Sequence, residues 1–377
     1  MSFHLTTSQE ERTLEALFKP VFQILKSDRL NSIPNAAELK AQLAGILHVR
    51  LRRAVNQTPI RSAIASALMI DGKSHTLMER IVSSSDAGEE AKSWLAPCVE
   101  YANFLFNALV GRAATKYPDV DSPIYLDNDG DYEDFLAHIC GEWMSSFTTT
   151  PCKMTPLYDW FHFAALIHQA NNDGRLTRNL ALQDHGNMTV FRAAKQIDWN
   201  EKPFTAVLIL GHSPAVEGQK LSPLSKEKLR KAVAENMGYR LAPIYIGCGG
   251  TVRPRMTEIN ESEEMKKCAI AEFGVREEKF AIEATSEHTY SNFMHAAMLG
   301  AAMGMPHQSR MITFPHANQR DFIKERMIAR ANEEVFPPFA EFGSIEEGEI
   351  EGSIVFILNA ACKDMPISTT LRKNASF

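Results

Sequence analysis

The sequence predicts an α/β fold, with a mostly parallel, doubly wound sheet in residues 200–377 and a mainly helical segment, 1–199, before it. Three observations predict it. From Glu10 to about Gly111, apolar residues recur at three- and four-residue spacing, as in Leu14, Leu17, Phe18, Val21, Phe22 and Leu25, the stripe of an amphipathic helix. After Trp199 the rhythm changes to short apolar runs of strand length, each followed by turn residues and then by a helical pattern. Those runs are continuous, as expected of strands buried on both faces between crossover helices.

The elements follow in order. The stretch from Tyr117 to Gly130 is rich in Pro, Asp, Asn and Gly and predicts a surface loop. Residues 131–146 and 158–170 fit two further helices, and 171–188, polar and glycine-containing, reads as a loop. The predicted strands are 206–210, 243–246, 280–282, 310–314 and 354–358, separated by helices near 223–237, 258–273, 289–303 and 318–332.

Composition narrows the function classes. Apolar residues make up 45% and charged residues 23%, which excludes general disorder. With 40 basic against 46 acidic residues, a net charge of −6 and no Lys/Arg block, a nucleic-acid partner is not expected. The cysteines at 98, 140, 152, 248, 268 and 362 have neither zinc-site pairing nor the density of a disulfide scaffold, and read as reduced thiols. The start, MSFHLTTSQEERT, lacks a charged leader with an apolar stretch, and the apolar segment Cys98–Gly111 is broken by Glu100, Asn103 and Asn107. No membrane anchor and a cytoplasmic location are the expectations.

Ligands of open parallel sheets bind outside the strand C-terminal ends, where loop amides and helix N-termini converge. Four polar loops fall there: Gly211-His212-Ser213, Gly247-Cys248-Gly249-Gly250-Thr251, Glu283 to Asn292, and Pro315-His316-Ala317-Asn318. His212 and His316 are the candidate catalytic groups, because imidazole exchanges protons near neutral pH. The glycines let a ligand approach main-chain amides, as a compact anion requires, and Arg253, Arg255 and Arg320 can neutralise its charge. Glu261 and Glu263 open the next helix, where they either complement its dipole or bind a ribose hydroxyl, a cation or an amine. Glu283, Ser286, Thr289 and Asn292 complete the candidate pocket, the last three at spacings that share a helix face, with capping as the other role for Ser286 and Thr289.

Other motifs are absent. Neither a Walker A loop nor G-x-G-x-x-G occurs. Asp127-Asn128-Asp129-Gly130-Asp131 has its glycine at the wrong position for a calcium loop, and His162 and His168 lack the i,i+4 spacing of a helical zinc pair, so no metal is assigned. Met294, Met298, Met303 and Met305 read as helix packing.

The order of these loops resembles the YdcF-like family, which includes SanA and ElyC. The resemblance covers roughly residues 203–361. It is carried by the strand ending in Gly211, the turn Gly247–Gly250 with Val252-Arg253-Pro254, the run Glu261-Ser262-Glu263-Glu264-Met265, Gly274-Val275, then Glu283, Ser286, Thr289 and Asn292, and the strand leading to His316. The chain departs from the family chiefly in the added helical extension before residue 200, and in three further places. Its turn reads Gly-Cys-Gly-Gly where Ser-Gly-Gly is frequent, its helix start reads Glu-Ser-Glu where Ser/Thr-Glu-Ala is common, and it lacks the N-terminal anchor of many relatives. The resemblance implies a Rossmann-like domain with a small-molecule pocket at the strand ends, links to envelope biogenesis, and S-adenosylmethionine or a nucleotide as candidate ligand.

The reading that follows is an enzyme, a transferase or hydrolase, that takes a phosphorylated or nucleotide-like ligand. The alternative is a non-catalytic binding or sensor module whose helical half docks a protein partner.

Overall fold

A computed structural model describes residues 12–18, 36–57, 60–83, 89–117, 133–134, 136–137, 140–141, 156–171, 174–214, 216, 218–254, 257–365 and 371–372. Most of the expected loop at 117–130, most of the expected helix at 131–146, and Arg255 lie outside them. The chain divides into two units, Met1–Gly174 with Leu371–Phe377, and Arg175–Thr370. Residues 175–199, which the sequence reading joins to the helical half, therefore belong with the sheet.

The first unit contains helices α1 (Ala36–Ala54), α2 (Ile60–Leu68), α3 (Gly72–Ser83), α4 (Glu89–Leu105) and α5 (Pro156–Asn171). On α1, Leu39, Leu43, Leu47 and Leu51 recur every fourth residue and are all buried, so the apolar stripe is the face that folds inward. Asp71 starts α3 by accepting the Ser74 N–H at 2.9 Å. Asn103 of α4 clamps the main chain of Ile70, accepting its N–H at 2.8 Å and donating to its carbonyl at 3.1 Å. Among the described residues, no helix is long and apolar enough to cross a membrane.

The second unit begins with helix α6 (Arg175–Ala194) and continues β1 (Ala206–Leu210), α7 (Pro223–Tyr239), β2 (Ile244–Cys248), α8 (Glu261–Phe273), β3 (Phe280–Glu283), α9 (Thr289–Ala302) and β4 (Arg310–Thr313). Then come α10 (Ala317–Phe322), a π-helical turn at Ile323–Met327, α11 (Ile328–Glu334), the two-residue β5 (Val335–Phe336), and the strands β6 (Gly343–Glu347) and β7 (Ile354–Leu358). This is a mixed α/β unit on a six-stranded, mostly parallel sheet of order β3-β2-β1-β4-β7-β6.

Strands β1 to β4 are mutually parallel, whereas β7 runs antiparallel to β4, and β6 antiparallel to β7. An apolar run buried on both faces reads the same in either direction. The direction of β7 is set by its connection, because residues 348–353 make a hairpin from β6 and no crossover helix intervenes. Strand β6, Gly-Ser-Ile-Glu-Glu, has no apolar run to predict it and lies at the sheet edge.

Alternation along β1 assigns the two faces. Val207 and Ile209 pack with Leu229, Ala232 and Val233 of α7 and Met265 and Ala269 of α8. Ala206, Leu208 and Leu210 pack with Tyr290, Phe293 and Ala297 of α9 and with Ile323 and Met327. Helices on both faces leave the strand ends as the open rim.

From Arg175 onward the segment predicted as a loop at 171–188 is helical, in α6, because its polar residues have partners on the sheet edge. The Asn187 side chain accepts the Ile282 N–H at 2.8 Å and donates to the Ile282 carbonyl at 2.8 Å, closing the free edge of β3 as another strand would. Gln183 accepts the Ala284 N–H at 2.9 Å, and Lys266 donates to the Gly186 carbonyl at 2.5 Å.

Candidate functional site

Register aligns Leu210 with Cys248, Cys248 with Glu283, and Leu208 with Thr313, so the ends of the four parallel strands share one edge. The chain turns from β1 to β2 on one side while β4 lies on the other, which makes the gap between β1 and β4 the switch point of the sheet. His212 follows β1 and His316 follows β4. Their rings meet edge to face with centroids 6.0 Å apart.

Each ring is oriented by main chain. His212 Nδ1 lies 3.2 Å from the Ser213 carbonyl, which can only accept, so that nitrogen carries the proton and Nε2 of the neutral ring keeps its lone pair. His316 is the N-cap of α10, and its Nδ1 accepts the Gln319 N–H at 3.3 Å, which puts the proton of the neutral ring on Nε2. Desolvation, then the charges of Lys228 and His212, hold the His316 pKa below its ordinary value, against a smaller opposing effect of Glu227. The Ser225 hydroxyl fixes the His212 main chain from the start of α7, accepting from its N–H and donating to its carbonyl, both at 3.0 Å.

Beneath the histidines lie two charged groups. Lys228 of α7 is buried, and its Nζ donates to the carbonyls of Leu210 and Gly211 and to Gln319 Oε1 at 3.1 Å, linking the end of β1 to α10. Burial draws the Lys228 pKa down to about 8, while Glu261 and Cys248 act to raise it. Glu261, the first residue of α8, is buried against the ends of β1 and β2. Burial pushes its pKa up to about 6, opposed by the Ser213 hydroxyl, the charges of Lys228 and Arg253, and the His212 backbone.

Gly211 and Gly249 make room for this carboxylate. A Cβ at Gly211 would meet Glu261 Oε2 and would lie 2.6 Å from the Cys248 carbonyl, and one at Gly249, where φ is +146°, would lie 2.9 Å from Glu261 Cβ and Oε2. Gly211, His212, Ser213, Glu261 and His316 thus come together, with Arg253 acting on Glu261 through its charge.

The remaining predicted residues are engaged elsewhere. Gly247 is a strand residue whose missing Cβ admits the Phe280 ring, 2.8 Å away. The Gly249 and Gly250 N–H groups donate to the carbonyls of Glu283 and Ser286 at 3.0 and 2.8 Å, so these amides knit the loops together. The Gly250 and Gly249 carbonyls accept from Glu261 and Ser262, covering the start of α8. Thr251 donates to Asn179 of α6 at 2.9 Å, and Asn260, the N-cap of α8, donates to the Ala284 carbonyl at 2.9 Å. Glu263 pairs with Lys267 at 3.0 Å.

Glu283 is fully buried and accepts from the Thr285 N–H and hydroxyl and the Ser286 N–H, with His295 Nδ1 at 3.4 Å. Burial acts to raise its pKa, but His295 and the Ser286 and Thr285 donors outweigh it and hold the carboxyl below the ordinary value. Ser286 donates to Asn292 Oδ1 at 2.6 Å, so these two buried side chains, expected to face the crevice, are bonded to each other. The cap of α9 is neither Ser286 nor Thr289. It is His288, whose N–H donates to Ser291 Oγ at 2.9 Å, and half-buried Thr289 is the first helical residue. Arg320 lies one turn beyond His316, its N–H on the His316 carbonyl at 2.9 Å.

The sequence reading missed Lys228 and Gln319. The one signal for Lys228 was a lysine on the inward face of a helix that follows the first strand. Comparison with family models, curated proteins and solved structures finds no match for this chain.

Proposed function

We propose that the second unit is a Rossmann-like domain of YdcF-like type, joined to a helical N-terminal domain. In this reading it is an enzyme that takes a phosphorylated or nucleotide-like ligand between the ends of β1 and β4. The single observation that carries the proposal is the His212–His316 pair at the switch point, with opposite tautomers set by the main chain. His212 Nε2 accepts the proton of an attacking hydroxyl or water, and neutral His316 donates a hydrogen bond from Nε2 to the oxygen that gains charge. A transferase or a hydrolase needs the same pair, the acceptor deciding between them.

Lys228, Arg253 and Arg320 favour an anion. S-adenosylmethionine fits less well, because its sulfonium would meet these cations, and because the Cys248 thiol at the end of β2 is buried on the Ile246 carbonyl and cannot take ribose hydroxyls. Since the Gly249 and Gly250 amides are spent on main-chain carbonyls, side chains supply the contacts.

Thermal unfolding with inorganic phosphate, nucleotides and sugar phosphates tests the reading. A saturable upward shift that shrinks in His212→Gln and His316→Gln is expected, and no shift with any of them overturns it. Phosphate release, lost in both variants while the ligand still binds, identifies an enzyme; ligand binding without turnover in the wild type identifies a sensor module.

A further inference from the structure

Two cations converge beside the histidine pair, with exposed Asp321 the one carboxylate paired to either of them among the described residues. The hairpin tip 348–353 stands next to the end of β4, since Ile354 pairs with Thr313. At Gly352 (φ +76°), a Cβ would lie 3.4 Å from Arg320 Nη1 and 3.8 Å from Lys231 Nζ, so one glycine of the tip brings the two side chains together. They arrive from opposite faces of the sheet, Lys231 from α7 one turn beyond Lys228, and Arg320 from α10 one turn beyond His316. Lys231 Nζ lies 5.6 Å from the centroid of the Phe314 ring, two residues before His316. Among the described residues Lys231 has no carboxylate partner, and Arg320 has only the exposed Asp321, at 3.6 Å. Like charges gathered on a rim repel each other unless an anion joins them.

We propose that Lys231 and Arg320 form a second anion subsite, and that the ligand of the histidine pair is a soluble diphosphate. One phosphoryl group is held by His212 and His316 and the next by Lys231 and Arg320, with the glycine at 352 leaving the cations room to close on it. Arg320 supplies planar paired donors to phosphate oxygens, and Lys231 a compact charge. The inference rests on the reading of the histidine site given above and adds the class of ligand.

Calorimetric titration with inorganic phosphate and with pyrophosphate tests it on the full-length protein. Pyrophosphate is expected to bind at least about tenfold more tightly than phosphate. Lys231→Met and Arg320→Met are each expected to abolish most of that ratio, Lys231→Met while leaving phosphate affinity within about twofold. Both positions are on the surface or half-buried, and a thermal melt confirms folding of each variant. Equal binding of the two anions, or a ratio untouched in both variants, overturns the subsite and leaves the histidine reading standing. Binding of neither anion removes the histidine reading, and the subsite with it. Cosedimentation with phosphatidylcholine vesicles containing phosphatidic acid, if it outcompetes pyrophosphate, overturns the assignment to a soluble ligand.

Discussion

His212 and His316 face each other across the switch point with ring centroids 6.0 Å apart, and His212 helps to keep His316 neutral. An imidazolium at 212 disfavours a second one so near. His212→Ala removes one of the causes that lower the His316 pKa, so that pKa is expected to rise in the variant. NMR titration of the His316 ring protons measures it. The nitrogen shifts of the wild type at high pH are expected to show the Nδ1–H tautomer at His212 and the Nε2–H tautomer at His316, and an unmoved His316 titration in the variant would show that the rings are uncoupled.

A second prediction concerns the edge of the sheet. Asn187→Leu leaves the buried N–H and carbonyl of Ile282 without their 2.8 Å partners. Each orphaned buried group costs about 1–3 kcal/mol, so a loss of about 2–6 kcal/mol is expected for the two. Urea denaturation reads it directly. A loss below about 1 kcal/mol would mean that α6 does not close the edge through this side chain.

Two glycines of unlike surroundings make the third. Gly211→Ala drives a Cβ toward the Cys248 carbonyl, 2.6 Å away, and into the Glu261 carboxylate. Main chain cannot swing aside, and overpacking of this kind costs about 1–3 kcal/mol. Gly238 lies in α7 with nothing within 4 Å of its would-be Cβ, so Gly238→Ala is expected to stabilise by about 0.5–1 kcal/mol. Opposite signs in the two melting temperatures are the expected result, and a tolerated Gly211→Ala would show that Glu261 does not occupy the space beside the glycine.

How far the sequence carried depends on the kind of signal. The strands at 206–210 and 354–358 were legible because runs of Val, Ile and Leu have few other uses, and the helix near 223–237 was legible from the helical pattern that follows the first strand and its turn. Gly211 through Ser213 and His316 were legible as loop residues after strands, and sheet topology alone brings such loops to one rim. Helix α6 was not. Its buried Asn179 and Asn187 look like loop residues until Thr251 and Asn260 supply partners for the first and the edge of β3 for the second, and those partners are remote in the chain. The glycine turn was legible as a turn, but not the spending of its amides on Glu283 and Ser286, which depends on where the next loop passes. Lys228 was hidden for a related reason, since an isolated lysine in a helix reads as solvated until the end of β1 is seen to claim its ammonium.

The buried pair beneath the histidines gives the last prediction. Glu261 has an ordinary pKa of 4.5 and is raised to about 6 in the fold. The folded state therefore holds this proton more tightly than the unfolded chain, and stability from this group is fullest below pH 4.5 and falls as the pH rises to 6. Above that the ionised carboxylate costs the fold about 2 kcal/mol. Glu261→Gln removes the titration but keeps an oxygen for the Ser213 hydroxyl. The difference in unfolding free energy between variant and wild type is expected to move in favour of the variant by about 2 kcal/mol between roughly pH 4 and pH 6.5, the unrelated carboxylates cancelling in the difference. Lys228, at about 8, stays protonated throughout this window in the wild type and adds no slope of its own. Parallel stability curves for the two proteins would show that Glu261 is not held in a desolvated site, and the carboxylate would then be free to act as one more solvated charge on the rim.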